Sequence, residues 1–263
     1  MSNDAPGDVL AQARAHPGET LVALDFDGTL APIVDRPEDA YAHPDAANVL
    51  ADLGAAGFRL AIVTGRPVAD VLRLGAGFDA IPGLLICGHY GLEGWADGEL
   101  SAPDEHPAIA AARSAVREVV DAAPAGVSIE DKGRSVAVHT RTAADPAATV
   151  ADLESRLNAI AAAHDLEVVP GRFVLELRPA GVDKGAALRD LVAELGAGVV
   201  VFAGDDLGDL PAVAALRSTD VAAFVVCSDS PEAPAELRDA ADLIVDGPVG
   251  VLAFLRAMLP LHR

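Results

Sequence analysis

Asp25 and Asp27, one residue apart, follow the apolar run Leu21–Leu24 and precede Gly28 and Thr29. Side chains alternate along a strand, so both carboxylates leave it on one side at its carboxyl end. Two such groups are costly to desolvate unless positive charge meets them, and the pair suits a metal ion and a phosphate. Gly28 permits a sharp exit from the strand, and the Thr29 hydroxyl is placed to close the turn. Three other places carry complementary chemistry. Thr64, with Gly65 and Arg66, ends the run Phe58–Val63; Lys184 heads a helical pattern behind Asp183; and Asp205, Asp206 and Asp209 follow Val199–Ala203 and Gly204. Phosphoryl transfer needs an in-line nucleophile, neutralisation of the non-bridging oxygens and an acid for the leaving oxygen. Carboxylates and a few further oxygens are what Mg²⁺ prefers. Lys184 balances the acidic cluster, while Thr64 and the amides near Gly28 can donate to a phosphate.

The elements that must position these groups form an α/β pattern. Apolar runs at 21–24, 58–63, 84–87 and 199–203 each stop at polar or glycine-rich residues, with helical stretches between them, at about 43–56 for example. Such alternation predicts a parallel, Rossmann-like sheet whose ligands collect at the strand carboxyl ends. Two more strands, 222–226 and 243–245, precede a closing helix at 250–258. Between the third and fourth strands the pattern changes. A proline-rich, charged stretch at 101–107 reads as a linker. Helices at about 108–122 and 146–164 then alternate with paired strands at 127–131, 135–141, 167–170 and 173–178, the last two turned by Pro170-Gly171. Helix plus hairpin, twice, predicts an inserted α+β domain with an antiparallel sheet. The boundaries are 1–102 and 181–263 for the core and 103–180 for the insertion.

The 263 residues carry a formal charge of −21. A field of that sign argues against nucleic acid and acidic membranes as partners. No apolar run reaches the length of a membrane span, and residues 1–20 lack a basic start and an apolar core, so the expectation is a cytoplasmic protein; a monomer is expected separately. Cys87 and Cys227 fall at strand ends in no metal or disulfide pattern and read as core residues. Of 19 basic residues only Lys132 and Lys184 are lysine, which singles out both as positions where a compact point charge matters.

Taken in order, Asp25-x-Asp27-Gly28-Thr29, Thr64-Gly65, Lys184 and Gly204-Asp205-Asp206-x-x-Asp209 resemble the four motifs of the haloacid dehalogenase superfamily. The resemblance implies that Asp25 is a nucleophile forming a phosphoaspartate and Asp27 a general acid and base. It also implies Mg²⁺ held by Asp25, the Asp27 carbonyl and Asp205, with Asp206 or Asp209 acting through water. The aspartate at position 27 marks a phosphatase, since cation-pump relatives carry threonine there. Phe26–Ile33, Gly88–Glu93, Val127–His139 and Leu175–Pro179 resemble the trehalose-6-phosphate phosphatases, whose C2-type cap closes over a phosphorylated disaccharide. In this resemblance Glu130, Lys132 and Glu176 meet sugar hydroxyls, and Gly28, Gly65, Arg66, His89 and Gly91 are candidate substrate contacts. Related phosphatases act on sucrose 6-phosphate, mannosyl-3-phosphoglycerate or glucosylglycerol phosphate, and a non-catalytic sugar-phosphate-binding domain is a further alternative.

Several of these residues have a second reading. Asp206 and Asp209 can cap the following helix, and Arg66 can pair with a neighbouring acid. Glu130, Lys132 and Glu176 can form an ordinary solvated strand face. His89 and His139 suit structural roles, Gly88 and Gly91 a hinge, and Tyr90 and Trp95 packing.

Overall fold

The computed structural model describes residues 5–102, 106–171, 173–231 and 233–259. The chain divides into two compact units, Met1–Ala102 with Asp183–Arg263, and Pro103–Val182.

In chain order the larger unit begins with α1 (Pro6–Ala15), β1 (Thr20–Leu24), α2 (Ala46–Ala55), β2 (Arg59–Val63), α3 (Val68–Leu74) and β3 (Leu84–Gly88). A hairpin follows, β4 (Glu93–Ala96) and β5 (Glu99–Ser101). The smaller unit holds α4 (Pro107–Asp121), β6 (Ser128–Asp131), β7 (Val136–His139), α5 (Pro146–Ala163), β8 (Leu166–Gly171) and β9 (Val174–Pro179). The chain returns through α6 (Lys184–Leu195), β10 (Val199–Gly204), α7 (Leu210–Arg217), β11 (Ala222–Asp229), α8 (Ala235–Ala240), β12 (Leu243–Asp246) and α9 (Gly247–Met258).

The large sheet runs β12-β11-β10-β1-β2-β3-β4-β5. Its first six strands are parallel, and β4 and β5 are antiparallel additions at one edge. Strand order reverses at β1: the chain first proceeds through β2 and β3 on one side, then returns on the other through β10. Ligands of open parallel sheets bind outside the strand ends at such a reversal. The register sets the polar ends side by side, because Leu24 pairs with Ala203 and with Ile62. Asp25, Gly204 and Val63 each follow one residue later.

Both faces of this sheet are covered, which explains why its strands read as unbroken apolar runs. Val22 and Leu24 of β1, with Val199, Val201 and Ala203 of β10, pack into one cluster with residues of α1, α2, α3 and α9. Leu21, Ala23, Val200 and Phe202 pack on the opposite side with α6, α7 and α8. Each fully buried Val, Leu or Phe contributes roughly 1.5–3 kcal/mol, so the central strands are the best-anchored scaffold the chain has.

The smaller unit is a four-stranded antiparallel sheet, β6-β7-β9-β8. Ile109, Val116, Leu153 and Leu157 of its two helices pack on Val136, Val138, Leu175 and Leu177. The alternate positions Glu130, Ala137 and Glu176 align across β6, β7 and β9 on the other face.

Several local expectations are revised. Helix α3 is the helix expected between the second and third strands, whereas helix α8 and the β4–β5 hairpin had no counterpart in the sequence reading. Within the expected linker at 101–107, Ser101 closes β5 and Pro107 opens α4, while residues 103–105 lie outside those described, as do residues 1–4. Helix α2 starts at Ala46 rather than about 43, since the His43-Pro44 step disfavours helical backbone before it. Strand β11 runs on to Asp229, and α9 starts at Gly247 with Pro248 in its first turn. Both cysteines are free; Cys227 is buried, but Cys87 is only partly so. Among the described residues no helix is long and apolar enough to cross a membrane.

Candidate active site

Asp25 leaves the end of β1 almost fully buried, and the Lys184 Nζ lies 2.7 Å from its Oδ1. Lys184 opens α6, whose N-cap is Asp183: the Asp183 Oδ1 accepts from the Ala186 N–H at 2.7 Å. The same ammonium lies 2.7 Å from the Oδ1 of Asp209, which is wholly buried. The second Asp209 oxygen accepts from the backbone N–H groups of Asp205 (2.9 Å) and Asp206 (3.1 Å). Asp206 in turn accepts from the Asp209 backbone, so the two form a reciprocal capping box over the turn at Leu207–Asp209. Asp209 thus joins the loop after β10 to the first residue of α6.

Carboxylate oxygens of Asp25, Asp205 and Asp209, all buried, lie within 4.8 Å of one another. Burial chiefly raises the Asp25 carboxyl well above the usual carboxylate range; Lys184 opposes this while Asp209, Asp205 and Asp206 add to it. Burial, then Asp206 and Asp209, push Asp205 up to about 8. Asp206 is raised mainly by burial, against the pull of Lys184. Burial works against the Lys184 charge, yet Asp209 and Asp25 outweigh it and hold the ammonium well above its ordinary value. Four carboxylates therefore surround one ammonium. This excess of buried negative charge and oxygen donors fits a hard divalent cation, and Asp209, already engaged by three donors, leaves Asp25 and Asp205 as the ligands with oxygens to spare.

Glycine is required where the carboxylates crowd the backbone. Gly28 has φ +70°, and a Cβ there would lie 2.0 Å from the Asp205 Oδ2. A Cβ at Gly204 would lie 2.3 Å from the Asp209 carboxyl carbon. The turn after Asp27 closes differently from expectation. The Leu30 and Ala31 N–H groups both donate to the Phe26 carbonyl, at 2.8 and 2.9 Å. The Thr29 hydroxyl is buried with no hydrogen-bond partner among the described residues. It is turned into the packed interior, so it cannot close the turn.

Asp27 does not join the buried cluster of carboxylates. It is about one-third exposed and forms a two-pronged pair with Arg66, Nε to Oδ2 at 2.6 Å and Nη2 to Oδ1 at 2.7 Å. Thr64, buried at the end of β2, accepts from the Arg66 N–H at 3.2 Å. Gly65 lies under the Tyr90 ring, whose hydroxyl would be 2.6 Å from a Cβ at this position. His89, Tyr90 and Gly91 have φ of 47°, 60° and 97° in succession. The His89 Nε2 lies 3.8 Å from the Glu93 Oε1, and Glu93 accepts from the Val68 N–H at 2.9 Å, at the start of α3. His89 is buried, so its side chain serves this turn, while Gly91 packs against Ala187 of α6. Trp95 is a core residue.

In the smaller unit Lys132 lies 3.2 Å from the Glu176 Oε1, and the Ser135 hydroxyl donates to the same oxygen. Glu130 instead meets the His139 Nε2 at 2.8 Å. Two of the three residues expected to share a role are therefore adjacent, and the third has a different partner.

Ser228 escaped the sequence reading, while Glu93 and Ser135 stood inside the stretches Gly88–Glu93 and Val127–His139 without a role of their own. The Ser228 hydroxyl, fully buried at the end of β11, donates to the Gly28 carbonyl at 2.6 Å. Its signal is the polar step Ser228-Asp229 after an apolar run, which lies beyond the strand end expected at Val226.

A family model described as Trehalose-phosphatase matches residues 23–239. An uncharacterized glycosyl hydrolase of Mycobacterium tuberculosis is 36% identical over 252 residues, covering 89% of this chain and 18% of that protein. A trehalose-phosphate phosphatase of Mycobacterium avium is 37% identical over 222 residues, covering 80% of this chain and 54% of its own. The chain thus spans about half the length of that curated relative, and less than a fifth of the first. Among solved structures, a trehalose-6-phosphate phosphatase related protein aligns with a TM-score of 0.67 and 26% identity, over 90% of this chain and 96% of its own. The fold is that of the haloacid dehalogenase-like hydrolases.

Proposed function

The chain belongs to the trehalose-phosphatase family, and from that premise we propose that it hydrolyses trehalose 6-phosphate to trehalose and phosphate. The observation that carries the chemistry is the buried Asp25 carboxylate at the β1 end, with Lys184 at 2.7 Å and the Asp205 carboxylate beside it. Asp25 attacks phosphorus, the ester oxygen leaves as the sugar hydroxyl, and water then releases phosphate from the aspartyl phosphate. Covalent catalysis of this kind divides one displacement into two. Lys184 and the Thr64 hydroxyl stabilise charge on the phosphoryl oxygens. Asp27 protonates the leaving oxygen and takes the proton of the attacking water. Asp25 and Asp205 would hold Mg²⁺, supported by the Asp27 carbonyl and by Asp206 or Asp209. When bound, that ion neutralises the phosphoryl oxygens and favours attack by an anionic carboxylate.

Substrate choice rests on the smaller unit in this reading. Glu130, Lys132 and Glu176 offer acceptors and a donor to sugar hydroxyls, and Gly28, Gly65 and Arg66 are the proposed contacts of the phosphate, with the turn through the buried His89 and Gly91 offering backbone only. The proposal takes the chain as a monomer acting on a free phosphorylated disaccharide in the cytoplasm. A net charge of −21 supports partners other than nucleic acid or acidic membranes.

Phosphate release, measured with Mg²⁺ over trehalose 6-phosphate, sucrose 6-phosphate, glucose 6-phosphate and an aryl phosphate, tests the substrate. A strong preference for trehalose 6-phosphate that is lost on chelation is the expected result. Preference for another sugar phosphate would keep the chemistry and overturn the substrate.

A further inference from the structure

The Arg66 guanidinium is fixed from several sides. Its Nη2 donates to the Pro37 carbonyl at 2.9 Å, its plane lies over the Phe26 ring with Cζ 5.6 Å from the centroid, and its backbone N–H is tied to Thr64. Its Nε and Nη2 hold both oxygens of Asp27, while Nη1 has no hydrogen-bond partner among the described residues. The Arg66 side chain is 12% exposed and that of Asp27 35%. The cation is therefore the anchored partner and the carboxylate the one with room to move.

From this geometry we propose that Arg66 parks Asp27 and that an arriving phosphate group releases it. In the parked state each Asp27 oxygen spends one lone pair on a guanidinium N–H, and the two-pronged pair holds the carboxylate turned toward Arg66 rather than free to follow a proton on substrate or water. The open Nη1 is a ready donor for a phosphate dianion, and Arg66 offers the planar fork that such groups prefer. A dianion taken up there shares one cation with Asp27, weakens the pair by like-charge repulsion, and the carboxylate swings away. Arg66 is a positioning residue here: it keeps the acid–base group idle until an anion is in place. The inference rests on the phosphatase reading for the use made of Asp27 afterwards, but the exchange of one anion for another on Arg66 is independent of turnover.

The test uses the whole chain labelled with ¹⁵N in arginine side chains, with inorganic phosphate as the probe. Arg66→Lys identifies the Arg66 Nε–H signal by its loss, and Asp27→Asn gives its position without the ion pair. Titration of the native chain with phosphate should move the signal from its paired position to a new one. A signal that stays at the paired position at saturating phosphate, with binding verified by calorimetry, overturns the proposal even if the enzyme is active. Kinetics give the second readout, with Arg66→Lys expected to raise KM at least tenfold while kcat falls less than threefold. A hundredfold loss of kcat at constant KM would mean that the pair holds Asp27 in its working position, and would also overturn parking. Absence of hydrolysis in the native chain, with the signal still moving on phosphate, would refute the phosphatase reading alone.

Discussion

The Lys184 Nζ and the Asp25 Oδ1 are 2.7 Å apart, and both side chains are about 95% buried. The proposed nucleophile thus sits on a cation delivered by a helix start from far along the chain. The arrangement makes the ammonium part of the fold as much as of the chemistry, because three acidic neighbours besides Asp25 depend on it.

Replacing Lys184 with Met should therefore cost both stability and activity. Removing one partner of a buried ion pair costs about 3–5 kcal/mol, and here two carboxylates lose the same partner. Chemical denaturation is expected to show a loss in that range, reduced at acid pH where the carboxylates protonate. A variant as stable as the native chain at pH 8 would show that the cluster is not charge-balanced by Lys184.

The Asp205 carboxyl, pushed up to about 8, gives a second expectation. Its folded value lies above the unfolded value of 3.8, so between these the folded state binds the extra proton. Its contribution to stability is present below about pH 4 and is lost as pH rises toward 8. The metal-free chain should lose melting temperature over this window more steeply than Asp205→Asn does. Added Mg²⁺ should restore most at the alkaline end, since the cation replaces a proton. Equal slopes for native and variant chains would contradict the assignment.

Gly28→Ala tests the close approach of backbone and carboxylate. A Cβ 2.0 Å from the Asp205 Oδ2, at φ +70°, forces the carboxylate or the turn to shift. The left-handed conformation alone costs about 1–2 kcal/mol. Loss of the Mg²⁺-induced rise in melting temperature is the expected outcome, with activity down at least a hundredfold. Retention of both would show that the turn has slack.

Ser228→Ala leaves the buried Gly28 carbonyl without its hydroxyl donor. An unsatisfied buried acceptor costs about 1–3 kcal/mol, which thermal or chemical denaturation would detect. The effect on kcat should be a few-fold, smaller than that of Gly28→Ala, because the turn is displaced rather than blocked.

The parts legible from sequence were those with a local cause. Leu21–Leu24 is apolar on both faces because both faces are covered, and Asp25 follows at the end. Asp183 capping Lys184–Leu195 is a short-range hydrogen bond that the residue order displays. The β4–β5 hairpin was missed although Asp97-Gly98, with φ of 49° and 88°, is a strong turn signal; its strands are too short to show alternation. The pairing of Asp27 with Arg66, 39 residues apart, was open in the sequence because it depends on tertiary register. So was Ser228, which meets Gly28 across 200 residues. The orphan hydroxyl of Thr29 ran against expectation, since turn-closing by a side chain was outcompeted by two backbone donors on the Phe26 carbonyl.

The central claim is that Asp25 carries the phosphoryl group. Mixing the chain with Mg²⁺ and trehalose 6-phosphate, quenching in acid within one turnover, and reducing with borohydride converts an aspartyl phosphate to homoserine, which peptide mass spectrometry locates. The account predicts homoserine at position 25, and neither homoserine nor phosphate release in Asp25→Asn. Continued release of phosphate by Asp25→Asn, or a label on any other residue, would contradict it.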